Sequence, residues 1–112
     1  MTKQIEYYTT RDGKCPYIQW FNNLDREYQS KVIKRVNRLK GGLYGDCKKL
    51  KNSKLSELRL NFGKGYRIYF KEIDTVIVLI VAGGDKSDQK LLIKQADAYL
   101  KDYIERTRDN DN

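Results

Sequence analysis

Histidine is missing from all 112 residues, which excludes a histidine general base and every histidine-containing metal site. The two cysteines, Cys15 and Cys47, are too few and too far apart for a disulfide framework or a thiolate metal cluster. They read as small apolar residues of a reduced, cytoplasmic protein. No stretch approaches the roughly 18 consecutive apolar residues of a membrane helix, and no apolar export signal follows Met1. Neither a metal, another cofactor nor a membrane is expected. Proline occurs once, at Pro16, so few elements are interrupted by it.

What is present is charge. Charged residues make up 34% of the chain and hydrophobic ones 39%, enough for one compact core, and the length suits one domain of about 100 to 150 residues. The formal charge is +8, and its placement is uneven. From Lys31 to Lys71 there are 13 basic residues against two acidic ones, Asp46 and Glu57, a net +11 that leaves −3 for the rest. A basic middle of this kind suits an acidic partner, most often nucleic acid, and is also compatible with a solvated surface kept for solubility.

The centre of that segment, residues 57–71, has the period-two alternation of a hairpin. Leu58, Leu60 and Phe62 share one face of the first strand, and Tyr66, Ile68 and Phe70 share it on the second. A three-residue loop, Gly63, Lys64 and Gly65, would oppose Phe62 to Tyr66, Leu60 to Ile68 and Leu58 to Phe70. The other face would then pair Asn61 with Arg67, Arg59 with Tyr69 and Glu57 with Lys71. Cross-strand neighbours lie about 5 Å apart, so this face gathers two arginines, a lysine and a phenol around one anion.

Around the hairpin, residues 3–9 predict a short strand. Pro16 opens a helix whose stripe is Tyr17, Trp20, Phe21 and Leu24. Asp25 suits the cap of a second helix running to about Lys40, with Tyr28, Val32, Val36 and Leu39 buried and Gly41 and Gly42 as its stop. Residues 47–51 predict an edge strand, guarded by Lys48, Lys49 and Lys51. The seven apolar residues 76–82 predict a strand buried on both faces and central in the sheet. Ser87 would cap a last helix bearing Leu92, Ile93, Ala96, Tyr99, Leu100, Tyr103 and Ile104. Residues 1–106 form one domain on this reading, with 107–112 as a frayed polar tail. The class is α+β, with the helices on one side of a small, mostly antiparallel sheet.

Several motifs in this order carry a resemblance: Gly41 to Asp46 after a helical hairpin, then Glu57, Leu58 and Arg59, then Gly65 to Phe70, then Gly83 to Ser87. The chain resembles the HigB-like killer-protein branch of the RelE/ParE toxin superfamily over most of its length. The resemblance implies a toxin of a type II toxin–antitoxin pair, acting as a metal-independent, ribosome-dependent mRNA endonuclease. A ribose 2′-hydroxyl would attack the adjacent phosphate, which needs a base, an acid and charge stabilisation. Carried over position by position, Arg59, Arg67, Lys86 and Tyr69 form the expected catalytic set, with Lys86 as proton carrier. Lys48, Lys49, Lys51, Lys54, Lys64 and Lys71 are the expected RNA contacts. The implied partners are the ribosome with its mRNA and a helix-turn-helix antitoxin. Glu57 stands where some relatives have a basic residue, and the start of the last helix offers neither tyrosine nor histidine. Two alternatives therefore stay open: a gyrase-binding toxin of the ParE type without nuclease activity, and a non-toxic basic nucleic-acid-binding module.

Overall fold

The computed structural model describes residues 2–110, with the backbone alone at 109 and 110. Its elements run β1 (Gln4–Tyr7), α1 (Pro16–Asn22), α2 (Arg26–Lys40), β2 (Cys47–Lys49), β3 (Ser56–Arg59), β4 (Arg67–Glu72), β5 (Ile77–Gly84), a single 3-10 turn (Lys86–Asp88) and α3 (Gln89–Asn110). The five strands form one sheet in the order β1-β5-β4-β3-β2. All neighbours are antiparallel except β1 with β5, which are parallel from Gln4 opposite Ile77 to Tyr7 opposite Ile80. This is an α+β fold with a mostly antiparallel sheet and a C-terminal helix. None of the described helices is long and apolar enough to cross a membrane.

The helices lie on both faces of the sheet, not on one. On the first face α1 and α2 bury Tyr17, Val32, Val36 and Leu39 against Leu58, Leu60, Ile68, Phe70, Val78 and Ile80. On the second, Ala96 and Leu100 of α3 meet Tyr8, Leu55, Tyr69, Leu79, Val81 and Ala82. The hairpin alternation in the sequence shows one apolar face because the other is dried by Tyr69 and by the neighbouring strand, not by the hairpin's own aliphatic residues. Strand β5 serves both layers: Val78 and Ile80 face one and Leu79 the other. A one-residue irregularity follows. Tyr69 pairs with Ala82 and Phe70 with Ile80, so Val81 is the extra residue and joins Ala82 in the α3 layer. The strand is interior, one place from the edge, with β4 in the middle.

Gly83 and Gly84 belong to β5 and do not form the turn after it. Their lack of a side chain is a packing requirement. A Cβ on Gly83 would land inside the indole of Trp20, and one on Gly84 inside a methyl of Leu92. The pair lets α1 and α3 close on the same point of the sheet from opposite sides. Helix α2 stops where expected, with Gly42 at φ +83°. Gly42 N donates to Leu39 O at 3.0 Å and Leu43 N to Arg38 O at 2.8 Å, the paired bonds of a Schellman ending. Asp25 takes the N-cap place of α2 without a capping side-chain bond.

Two expectations change at the last helix. The capping side chain is Asp85, which accepts from Ser87 N at 2.9 Å, so Ser87 sits inside the 3-10 turn that leads into α3. Helix α3 continues to Asn110, so residues 107–110 extend it instead of forming a frayed tail; Asp111 and Asn112 lie outside the described residues. The helix is held to the N-terminal strand at Asp102. That carboxylate accepts from Tyr8 Oη at 2.7 Å and Arg11 Nε at 3.0 Å, and pairs with Arg106 Nη2 at 2.9 Å. The hydroxyl of Tyr8, with Arg11 and Arg106, keeps the Asp102 carboxyl below the usual carboxylate range.

Both features give expected outcomes. Gly83→Ala should cost about 1–3 kcal/mol, because a rigid indole must move, and Gly84→Ala less, because a leucine methyl can rotate away. Urea unfolding followed by the fluorescence of Trp20 measures the difference. A carboxyl whose folded pKa is depressed contributes stability above its unfolded pKa and loses it as pH falls through the folded value. Asp102→Asn should therefore be less stable than the parent at neutral pH, with the gap closing on acidification below the usual carboxylate range.

Candidate functional site

The hairpin's polar face is organised by Glu57, which is fully buried. Its Oε1 accepts from Arg59 Nε at 3.2 Å and lies 3.8 Å from Arg67 Nε. Its Oε2 accepts from Tyr69 Oη at 3.1 Å and from Gln89 Nε2 at 2.5 Å. Strands β3 and β4 and the first residue of α3 thus meet on one carboxylate.

Strand pairing explains the arrangement. Arg59 stands opposite Arg67, Glu57 opposite Tyr69, Leu58 opposite Ile68 and Ser56 opposite Phe70. The expected partners, Arg59 with Tyr69, Glu57 with Lys71 and Asn61 with Arg67, are each displaced by two residues. The loop holds five residues, 61–65, because Leu60 N donates to Tyr66 O at 2.9 Å and closes the ladder there. Phe62 leaves the strand and stacks on Tyr28, ring centroids 5.8 Å apart and planes 11° from parallel. Since the loop stays odd, every side chain keeps its expected face. Only the neighbours change.

The two arginines are therefore adjacent, but in different states. Arg67 is mostly buried: its Nη1 donates to Gly65 O and Tyr66 O, both at 3.1 Å, and its Nε is enclosed without a hydrogen bond. It braces the hairpin loop. The Arg59 side chain is 36% exposed and anchored through Nε, and its terminal nitrogens form no protein hydrogen bond among the described residues. A guanidinium held from behind with its fork open is suited to bidentate contact with phosphate. Lys86 is exposed, and its aliphatic chain crosses Gly65, whose carbonyl Arg67 holds. Lys86 and Lys64 share an open concavity of about 660 Å³ with Gly63, Gly65, Asp85 and Ser87.

Tyr69 differs most from its expected place. It is fully buried beside Glu57, and burial first, then the Glu57 charge, drives its hydroxyl pKa far above the ordinary value. The phenol is a hydrogen-bond donor sealed from solvent and touches no surface ligand. Lys48 and Lys49 project from the edge strand, and Lys51 and Lys54 stand exposed in the turn after it. Lys71 is half-buried on β4, at the end of the sheet away from Arg67. Glu57 was expected on this face, opposite Lys71, but not as the buried acceptor at its centre, and Gln89 was not expected at all. For Glu57 the signal was an acid two residues before Arg59 on the same face; nothing in the sequence marked Gln89. The assembly can bind and neutralise an anion. The carboxylate that could accept a proton is enclosed by its three hydrogen-bond donors and by Arg67.

This frame is that of a small α+β protein in which two arginines meet on one buried carboxylate. Over 97 residues the chain is 39% identical to an uncharacterized protein of Haemophilus influenzae, covering 86% of this chain and 91% of that protein. It belongs to the same family as that protein. No family model and no solved structure matches the chain.

The buried carboxylate makes a stability prediction. Glu57→Ala leaves two guanidinium groups, a phenol and an amide without their common acceptor and should cost about 3–5 kcal/mol. Glu57→Gln, which keeps an acceptor, should cost less. Urea midpoints of both, and a double-mutant cycle with Arg59→Ala, measure it.

Proposed function

We infer that the protein is the toxin of a type II toxin–antitoxin pair of the RelE/ParE kind, acting in the cytoplasm on mRNA at the ribosome. One observation carries the reading: Arg59 presents an open guanidinium fork at the surface, fixed from behind by a buried carboxylate, inside a segment with a net charge of +11. In this role Arg59 grips the phosphate next to the attacking 2′-hydroxyl and takes up the charge that develops on it. Lys86 stands across Gly65 as the second cation, and Arg67 and Tyr69 hold the platform without touching RNA. The antitoxin on this reading is a helix-turn-helix protein with an acidic surface that covers the basic face.

A second reading is favoured by a specific feature. Tyr69 is sealed, Arg67 is committed to loop carbonyls and Glu57 is enclosed, so the site's strength is binding more than proton transfer. A toxin that arrests gyrase by binding, without cutting RNA, fits that balance.

Induced alone, the protein should stop growth, and primer extension should map cuts within translated messages. Arg59→Lys keeps the charge beside Glu57 but loses the fork, and should reduce cleavage about 10²-fold, as removal of a charge-stabilising donor does. Arrest with intact messages and relaxed plasmid DNA would instead establish the gyrase reading, and unimpaired growth would refute both.

A further inference from the structure

Three hydrogen bonds and one near miss define the Glu57 carboxylate. Oε2 accepts from Tyr69 Oη at 3.1 Å and from Gln89 Nε2 at 2.5 Å, which sets the plane of the group. Oε1 accepts one bond, from Arg59 Nε at 3.2 Å, although a carboxylate oxygen has room for two. Arg67 Nε lies 3.8 Å from the same oxygen, buried and without a hydrogen bond. An enclosed donor beside an acceptor with a vacant lone pair is costly to leave unpaired, and closing it takes a shift of less than about 1 Å. The other end of the guanidinium holds it off. Arg67 Nη1 donates to Gly65 O and Tyr66 O, both at 3.1 Å, so the side chain spans the gap between the carboxylate and the hairpin loop.

Electrostatics says what would close the gap. One buried carboxylate faces two guanidinium groups, and among the described residues no other carboxylate pairs with either arginine. In the free protein the hydrogen-bonded Arg59 supplies most of the compensation. An anion on the open fork of Arg59 competes with Glu57 for that cation, and the competition is strong because the carboxylate is screened from water. What Glu57 loses from Arg59 only Arg67 can replace. The loop is then drawn along. Gly65 stands between Arg67, which holds its carbonyl, and Lys86, whose chain lies so close that a Cβ on Gly65 would meet Lys86 Cδ at 3.0 Å. A line of direct contacts thus runs from Arg59 through Glu57, Arg67 and Gly65 to Lys86.

We propose that Arg67 is a positioning residue that couples the two surface cations: when an anion engages Arg59, Arg67 Nε closes on Glu57 Oε1 and carries the Gly65 carbonyl and the overlying Lys86 with it. Arg67 acts from behind and does not touch the ligand. The proposal rests on the anion-binding reading of Arg59, but not on cleavage, on toxicity or on RNA as the anion.

Nitrogen–proton correlation spectra of the arginine Nε groups test it, recorded on the full chain during titration with inorganic phosphate and with a uridine trinucleotide. The Arg67 signal should move downfield, as a new bond to a carboxylate requires, and the Gly65 amide should shift with it, both with the midpoint of the Arg59 response. Arg59→Met removes the competing cation, so its Arg67 signal should stand at the downfield position with no ligand present, and phosphate should no longer shift Gly65. In Arg67→Lys a single ammonium replaces the fork; Gly65 should cease to follow Arg59, and phosphate binding at Arg59 should weaken by about 3- to 10-fold. An Arg59 response with a stationary Arg67 signal would overturn the coupling and leave the anion reading standing. A Gly65 shift that survives in Arg59→Met would overturn it too, since the loop would then be reading phosphate directly. Arg59 signals indifferent to both ligands would remove the anion reading and the coupling together.

Discussion

A carboxylate removed from water must be surrounded by donors and countercharge, and Glu57 meets that demand with groups from three elements. Arg59 is on its own strand, Arg67 and Tyr69 are on the next, and Gln89 opens α3. The register of the hairpin and the seat of the last helix are both coupled to this carboxylate: a slip of one residue would turn Glu57 into the aliphatic layer beneath α1 and α2. The same constraint shapes the surface. Because Glu57 holds Arg59 through Nε, the outward part of that side chain is oriented before any ligand arrives, which reduces the ordering cost of binding.

The rest of the architecture follows from drying both faces of the sheet. Strand β5 feeds Val78 and Ile80 into one layer and Leu79, Val81 and Ala82 into the other. The irregularity at Val81 changes the phase, so Gly83 lies under Trp20 and Gly84 under Leu92. Both layers therefore converge where β5 ends, and the 3-10 turn carrying Lys86 leaves from that point. The position of the basic site is thus set by how closely α1 and α3 approach the sheet.

Element types were legible from the chain because periodicity records burial directly. The stripe Tyr28, Val32, Val36 and Leu39, the continuous run into β5 and the lysines of the edge strand each leave such a record. Loop length did not. Odd loops of three and five residues preserve the same alternation, and the choice was made by Phe62 stacking on Tyr28 across the molecule. The placement of α3 on the second face was hidden because that face of the hairpin is built from Glu57, Tyr69 and two arginines, residues whose polarity suggests solvent. At the site, the nearness of Arg59 and Arg67 was readable from strand parity alone. Their division into one open and one committed guanidinium was not, since it depends on a buried acid and on loop carbonyls that no spacing rule reports.

The parallel pairing of β1 with β5 has a consequence for how the chain is made. Gln4 finds its partner at Ile77, so the first strand leaves the translating ribosome long before the strand it must join exists. Until then its Ile5 and Tyr7 have no β5 to pair beside, and the helical hairpin and the β3–β4 ribbon must assemble without it. Pairing of β1 therefore waits for β5, and α3, made after β5, then holds the segment in place as Asp102 reaches Tyr8 and Arg11.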